Sequence, residues 1–158
     1  MYITISIARQ ELEFIDAEQQ RHVFSVSTAL NGPHQEEGSG GTPLGEHRVR
    51  AKIGAGMPSG AVFVGRRFTG EVYSPALAAQ YPQRDWILTR ILWLAGNEPG
   101  YNQGGNVDTM RRYIYIHGTP DTEPMGKPYS HGCIRMRNED VMWLFDHVAP
   151  YCPVKIVL

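Results

Sequence analysis

The stretch Tyr115-Ile116-His117-Gly118-Thr119-Pro120, followed by Gly126-Lys127-Pro128-Tyr129-Ser130-His131-Gly132-Cys133-Ile134-Arg135-Met136, decides how the whole chain is read. It gathers a cysteine, two histidines and an arginine within nineteen positions, with a glycine beside each of the two most reactive side chains. Cys133 is the candidate nucleophile, because an imidazole or a positive field beside a thiol favours the thiolate. His117 is the candidate base. The alternation along Arg112–His117 predicts a strand with Tyr113, Tyr115 and His117 on one face and Ile114 and Ile116 on the other. A strand end holds a side chain rigidly enough for proton transfer. The carbonyl of Gly118 is placed to accept the other ring N–H and so orient the imidazole. Gly132 permits a strained turn, and its N–H with that of Cys133 is the candidate oxyanion hole. Arg135 is a candidate bidentate contact for a substrate carboxylate, with an ordinary surface ion pair as the alternative.

Three other readings of these residues stay open. A cysteine can be a small buried hydrophobe, and Cys152, leading into the last apolar segment, is read that way. His117, His131, Cys133 and Cys152 are possible zinc ligands by type, although no C-x-x-C or H-E-x-x-H spacing supports a site. A Cys133–Cys152 disulfide is also possible, and is disfavoured in a reducing compartment. His22, His34, His47 and His147 carry no neighbours that point to chemistry. No metal or cofactor is expected.

Around this segment the chain reads as mainly β. Strand-like runs cover Met1–Ala8, Leu12–Ile15, His22–Thr28, Glu46–Ile53, Ala61–Gly65, Trp86–Leu94, Arg112–His117 and Pro153–Leu158. Gly32-Pro33 and Gly38-Ser39-Gly40-Gly41 mark a loop. Asn97–Met110 and Thr119–Tyr129 are long enough to be lids. Ser74-Pro75 predicts an N-cap and first helical residue for a short helix through Gln80. A better helix follows Asn138, read as its N-cap, with Glu139 and Asp140 in the first turn and Val141, Leu144, Phe145 and Val148 as its apolar stripe. Pro150 stops it.

Composition bounds the rest. At 158 residues one domain, spanning 1–158, is the expectation. Such a chain buries about two-thirds of its unfolded surface without metal or disulfide staples. A net charge of -1 argues against a nucleic-acid binder. Seventeen glycines and eleven prolines favour many turns over a helix bundle, and two cysteines make no disulfide framework. Met1-Tyr2-Ile3-Thr4-Ile5-Ser6-Ile7-Ala8-Arg9 alternates like a strand and lacks the early positive charge and apolar run of an export signal. The cytoplasm is therefore the expected compartment, with a leader missing from the sequence as the competing explanation. No membrane partner is expected.

The central segment resembles the L,D-transpeptidase catalytic domain family, the YkuD type. That pattern is a strand ending in His-Gly, a loop, then Ser/Thr-(His/Lys)-Gly-Cys-(Ile/Val)-Arg-(Met/Leu) and a helix. Gly41-Thr42-Pro43-Leu44-Gly45 is similar to the family's Thr-Pro-x-Gly turn, Phe24–Thr28 to its early strand, and Pro153-Val154-Lys155-Ile156 to its closing strand. Tyr151-Cys152 and Glu46-His47 depart from the usual residues at their positions. The resemblance implies a mainly β fold of mixed, sandwich-like sheets with one main helix after the cysteine. It implies Cys133 as the acylated nucleophile, His117 as its base held by Gly118, and His131 as an aid to charge stabilisation. Gly132 and Cys133 would hold the oxyanion, and Arg135, Ser130 and Tyr115 would contact substrate. Arg135 has loop support as its alternative role.

The implied substrate is a peptidoglycan stem tetrapeptide or muropeptide, cut between the diamino acid and the terminal D-Ala. Water as acceptor gives an L,D-carboxypeptidase of murein recycling. An amine gives L,D-transpeptidase crosslinking or D-amino-acid exchange. An inactive muropeptide-binding domain is the reading from another class.

Overall fold

Every residue from Met1 to Leu158 is described by the computed structural model. Ten strands join in one curled mixed sheet, and the fold is mainly β. The first three strands, β1 (Tyr2–Ser6), β2 (Glu11–Ile15) and β3 (Arg21–Ser25), form an antiparallel meander. Strand β4 (Gly45–Ile53) follows the Gly-rich loop, and β5 (Ala61–Val64) and β6 (Arg67–Val72) form a hairpin. After helix α1 (Pro75–Gln80) comes the longest strand, β7 (Ile87–Gly96). Strands β8 (Tyr115–Gly118) and β9 (Ile134–Met136), helix α2 (Asn138–His147) and β10 (Pro153–Val157) complete the chain. The path across the sheet is β3-β2-β1-β10-β4-β7-β5-β6, and β8 branches from β7 to carry β9. Only β1–β10 and β8–β9 pair in parallel.

Strand β7 is the hub, because it pairs with β4 and β5 along its two halves and with β8 on its other edge. Both its faces are covered, which explains a nearly continuous apolar run in place of alternation. The register shifts between Leu88 and Ile91 where β7 meets β8, and Thr89 there has φ +73°. The bulge bends the strand. Leu92, Leu94, Ile116, Ile134, Met136, Val141 and Leu144 join the large core shared by the sheet and α2. A smaller cluster of Ala61, Phe63, Ile91 and Tyr115 lies apart, and Trp93 and Cys133 pack against it. The alternation of β8 thus sends Ile116 into the main core and Tyr115 toward Cys133.

Several expectations are corrected. Strand β8 begins at Tyr115, because Tyr113 adopts φ +58° and closes a turn that a strand starting at Arg112 cannot contain. Arg137, not Asn138, is the N-cap of α2. The Asn138 side chain is used elsewhere, donating to the Thr119 carbonyl and accepting from Thr89 Oγ1. Strand β3 stops at Ser25, and β6 and β9 were not foreseen; both are short and lack strict alternation. The Ser74 cap and Pro75 start of α1 hold, with Ser74 Oγ accepting from the Leu77 N–H. Cys133 and Cys152 are both free thiols, and Cys152 packs in the main core, remote from the smaller cluster that Cys133 touches. No helix is long and apolar enough to cross a membrane.

The 97–110 segment is stitched down. Buried Asn102 donates from Nδ2 to the Leu44 and Glu46 carbonyls and accepts the Glu98 N–H. His47 bridges the Gly45 carbonyl and Thr109 Oγ1 at 2.9 and 3.0 Å. Replacing Asn102 with Ala strands the Glu98 N–H, while the Leu44 and Glu46 carbonyls keep Gln35 Nε2 and the Asn97 N–H, so it is expected to cost about 2 kcal/mol. Urea denaturation should show a lower midpoint with an unchanged slope.

Candidate active site

The parallel pairing of β8 with β9 sets His117 opposite Arg135 and brings the turn before β9 against the turn before β8. Cys133, His117, Ser130, His131, Arg135, Asp85, Arg112, Tyr113 and Ile114 then line one cavity of about 180 Å³. A wider lobe of about 320 Å³ shares Arg112, Tyr113, Ile114 and His131 with it.

His117 is buried, and its Nδ1 lies 2.6 Å from the Gly118 carbonyl. An N–H donated to that oxygen leaves Nε2 as the basic nitrogen. Position 118 must be glycine, since a Cβ there would stand 2.4 Å from Asn138 Oδ1 and 2.7 Å from the Leu88 carbonyl. Burial pushes the imidazole down to about 4.

The Cys133 side chain is half-buried. Its Sγ lies 3.3 Å from the Tyr113 carbonyl, to which the thiol donates, and accepts the Tyr115 N–H at 3.3 Å. Burial pushes the thiol up to about 12, against smaller favourable contributions from the Tyr115 N–H, Arg135 and Arg112. The resting pair is therefore a neutral thiol and a neutral imidazole. Burial of this kind disfavours a preformed ion pair.

The turn before the thiol is fixed from inside. Ser130 Oγ donates to the Cys133 carbonyl at 2.5 Å and accepts the Gly132 N–H at 3.2 Å. Thr42 Oγ1 donates to the Gly132 carbonyl at 2.8 Å. Gly132 has φ +136°, and a Cβ there would press on the Gly41 carbonyl and Ile114 at 3.3 Å. These bonds change two expectations. The Ser130 hydroxyl is spent within the turn and is not presented to substrate. The Gly132 N–H is likewise engaged, whereas the N–H groups of His131 and Cys133 have no acceptor in the chain and are the free donors for an oxyanion.

Arg135 is buried, with NH2 3.3 Å from Asp85 Oδ1 and NH1 3.5 Å from Glu123 Oε2 and 3.3 Å from the Tyr129 carbonyl. Two carboxylates already neutralise it, so it clamps the 119–129 loop instead of offering a free fork to substrate. Ser27 Oγ to the Lys127 carbonyl and the Gly126 N–H to the Val26 carbonyl tether that loop further. His131 is exposed, and its Nδ1 is 3.4 Å from Asp85 Oδ2. Tyr115 meets the site through its backbone N–H, while its ring packs edge-on against Trp93.

Asp85 and Arg112 are site residues that the sequence did not reveal. Asp85 sits between α1 and β7, without a local pattern to mark it. Arg112 donates to the carbonyls of His34, Gln35 and Gly41 and to Ser39 Oγ, tying the Gly-rich loop to the cavity. No three His, Cys, Asp or Glu side chains converge as metal ligands would.

A family model of the YkuD type, the L,D-transpeptidase catalytic domain, matches residues 1–156. The chain belongs to this family. A probable L,D-transpeptidase ErfK/SrfK of Salmonella typhimurium is 46% identical over 46 residues, which is 29% of this chain and 15% of the relative. A probable L,D-transpeptidase YbiS of Escherichia coli is 49% identical over 37 residues, 23% of this chain and 12% of the relative. These matches thus span under a fifth of the relatives' own lengths.

Solved structures give the same fold. One is L,D-transpeptidase 3 from Mycobacterium tuberculosis with a faropenem-derived adduct, at a TM-score of 0.60 and 16% identity, covering 99% of this chain and 60% of that one. Another is an Enterococcus faecium L,D-transpeptidase, at a TM-score of 0.57 and 14% identity, covering 98% and 48%. In this fold the Cys133 thiol and the His117 imidazole, with its ring N–H on the Gly118 carbonyl, line one cavity.

Buried neutral histidines couple this site to pH. His117 and His47 both sit near 4 when folded and near 6.5 when free. Below 6.5 the unfolded chain takes up protons that the folded chain refuses. Their stabilisation is complete above pH 6.5 and is lost as pH falls toward 4, by about 3 kcal/mol per histidine. Urea midpoints measured from pH 7 to pH 4 should fall through this window.

Proposed function

We propose that the chain is a cysteine-dependent L,D-carboxypeptidase that removes the terminal D-Ala from peptidoglycan stem tetrapeptides. The observation that carries the acyl-transfer part is the shared cavity of Cys133 and His117, with His117 Nδ1 on the Gly118 carbonyl. In this mechanism Sγ attacks the carbonyl carbon between the diamino acid and D-Ala. His117 Nε2 takes the thiol proton, and the His131 and Cys133 N–H groups hold the oxyanion. The C–N bond breaks, His117 returns the proton to the leaving amine, and a thioester remains on Cys133. Water, deprotonated by His117, then releases tripeptide and frees the thiol.

The lining of the chamber supports water as acceptor: about 180 Å³ bounded by Asp85, His117, Ser130, His131 and Arg135 is polar and roomy enough to hold it. Soluble tetrapeptides from wall turnover in the cytoplasm are the proposed substrates, and the step belongs to murein recycling. Fractionation of cells making the full-length protein tests the compartment.

The second reading is transfer to an amine, by crosslinking or D-amino-acid exchange. The wider lobe, about 320 Å³, favours it by offering room for an acceptor peptide, its wall carrying Arg111 and Arg112 as well as Glu37.

Incubation with soluble tetrapeptide, followed by mass analysis, is expected to yield tripeptide and free D-Ala. Cys133→Ala should abolish both products while keeping the fold. Formation of crosslinked dimer alone would overturn the hydrolytic reading. The acid limb of kcat/KM should have its midpoint near 4, where His117 gains its proton, and not near 6.5.

A further inference from the structure

Besides Arg135, Arg112 lines the cavity, Arg111 lines the wider lobe and Arg66 stacks on Tyr113, and the three differ in what they have left to give. Arg112 has both hydrogens of NH1 and both of NH2 committed to the 34–41 loop. Arg111 is exposed, with no side-chain partner to fix its direction. Arg66 is different. Its guanidinium lies 4.8 Å over the Trp93 ring and 4.7 Å over the Tyr113 ring, and NH1 donates to the Tyr115 hydroxyl at 3.1 Å. No carboxylate stands within ion-pair distance of it. That one hydrogen bond leaves most of its five N–H donors free.

The aromatic shelf under Arg66 is built from the residues that hold the thiol. Tyr113 supplies the carbonyl at 3.3 Å from Sγ and lines the cavity. Tyr115 supplies the N–H at 3.3 Å. The Arg66 fork is thus joined to the thiol's surroundings through two aromatic residues, one of which lines the cavity, while Arg66 itself stands outside the cavity lining. An extended peptide advances about 3.3 Å per residue, so one that leaves the cavity over Tyr113 runs toward the fork.

The backbone adds an independent sign. Gly65 and Arg66 are the two central residues of the β5–β6 hairpin, between the paired Val64 and Arg67, and both have positive φ. Such a turn prefers Gly or Asn at the second position, so the arginine sits there against its backbone preference. Strain of this kind accompanies function when the side chain has a task.

We propose that Arg66 is the substrate-carboxylate contact of this enzyme, a planar fork pre-organised on Trp93 and Tyr113 to grip a carboxylate of the stem peptide. The assignment rests on the stem-peptide reading above and moves the role expected of Arg135 to a residue from a different part of the chain. Stacking fixes the plane and so lowers the ordering cost of a bidentate grip. A carboxypeptidase needs such a group to choose free chain ends.

The test compares Arg66→Gln with the unaltered protein on three peptides: the tetrapeptide, its terminal amide, and the tetrapeptide amidated at the distal carboxyl of the diamino acid. On the tetrapeptide, KM should rise roughly tenfold to a hundredfold with kcat little changed. On one of the amides the difference between the two proteins should vanish, and that amide identifies the carboxylate. Arg66→Lys, which keeps charge without the planar stack, should fall between. Arg67→Gln on the same hairpin should behave like the unaltered protein.

Alkylation of Cys133 by uncharged iodoacetamide should proceed equally in all variants, reporting an intact chamber. Dissociation constants taken in a Cys133→Ala background keep the test independent of turnover. An Arg66→Gln loss of equal size on all three peptides, or none, would overturn the assignment. So would the same amide dependence appearing in Arg111→Gln instead. If the unaltered protein turns over no tetrapeptide while the binding pattern holds, the hydrolytic reading fails and this one stands.

Discussion

The short parallel pairing of β8 with β9 is the contact on which the site depends. Three residue pairs, Ile116 with Ile134, His117 with Arg135 and Gly118 with Met136, fix it. Strand β9 has little else to hold it: Ser27 exchanges two backbone hydrogen bonds with Arg135 on its other side. A parallel pair needs a crossover connection, and here it is the 119–133 segment, which ends in the thiol turn. The position of Cys133 is thus the end point of a crossover that Arg135, Ser27 and Asn138 tie down along its length. A YkuD-type site is in this sense a loop held to strand accuracy.

Burial governs the chemistry of that site. A solvent-exposed cysteine and histidine would trade a proton at little cost. In this chamber either charge loses hydration, so the thiol rises and the imidazole falls. The thiol rests on the Tyr113 carbonyl, away from the base. The same burial makes the fold sensitive to acid through His117 and His47.

The positive side chains divide their labour according to their partners. Arg135 is neutralised by Asp85 and Glu123 and holds the crossover. Arg112 is spent on carbonyls of the Gly-rich loop. Arg66 is stacked, not neutralised. Type and sequence position did not separate these three. An arginine two residues after the cysteine looked like the carboxylate contact because it was near in sequence, whereas the deciding fact is which carboxylates reach it in space.

The amino-acid sequence by itself determined the mainly β class, the candidates Cys133 and His117 that share one cavity, the carbonyl of Gly118 that meets the imidazole and the helix that follows the thiol. These are local features: alternation along β8, glycines flanking reactive residues, and an apolar stripe on α2 each act over a few neighbouring positions. Only the tertiary structure decided that Tyr113 leaves the strand, that Ser130 closes the turn on itself, that the Gly132 N–H is already engaged and that Asp85 and Arg112 stand at the site. Each of those depends on a partner tens of residues away or on a hydrogen bond competing for the same donor. A sequence names the groups able to make such bonds, but the choice among competing partners is made by packing.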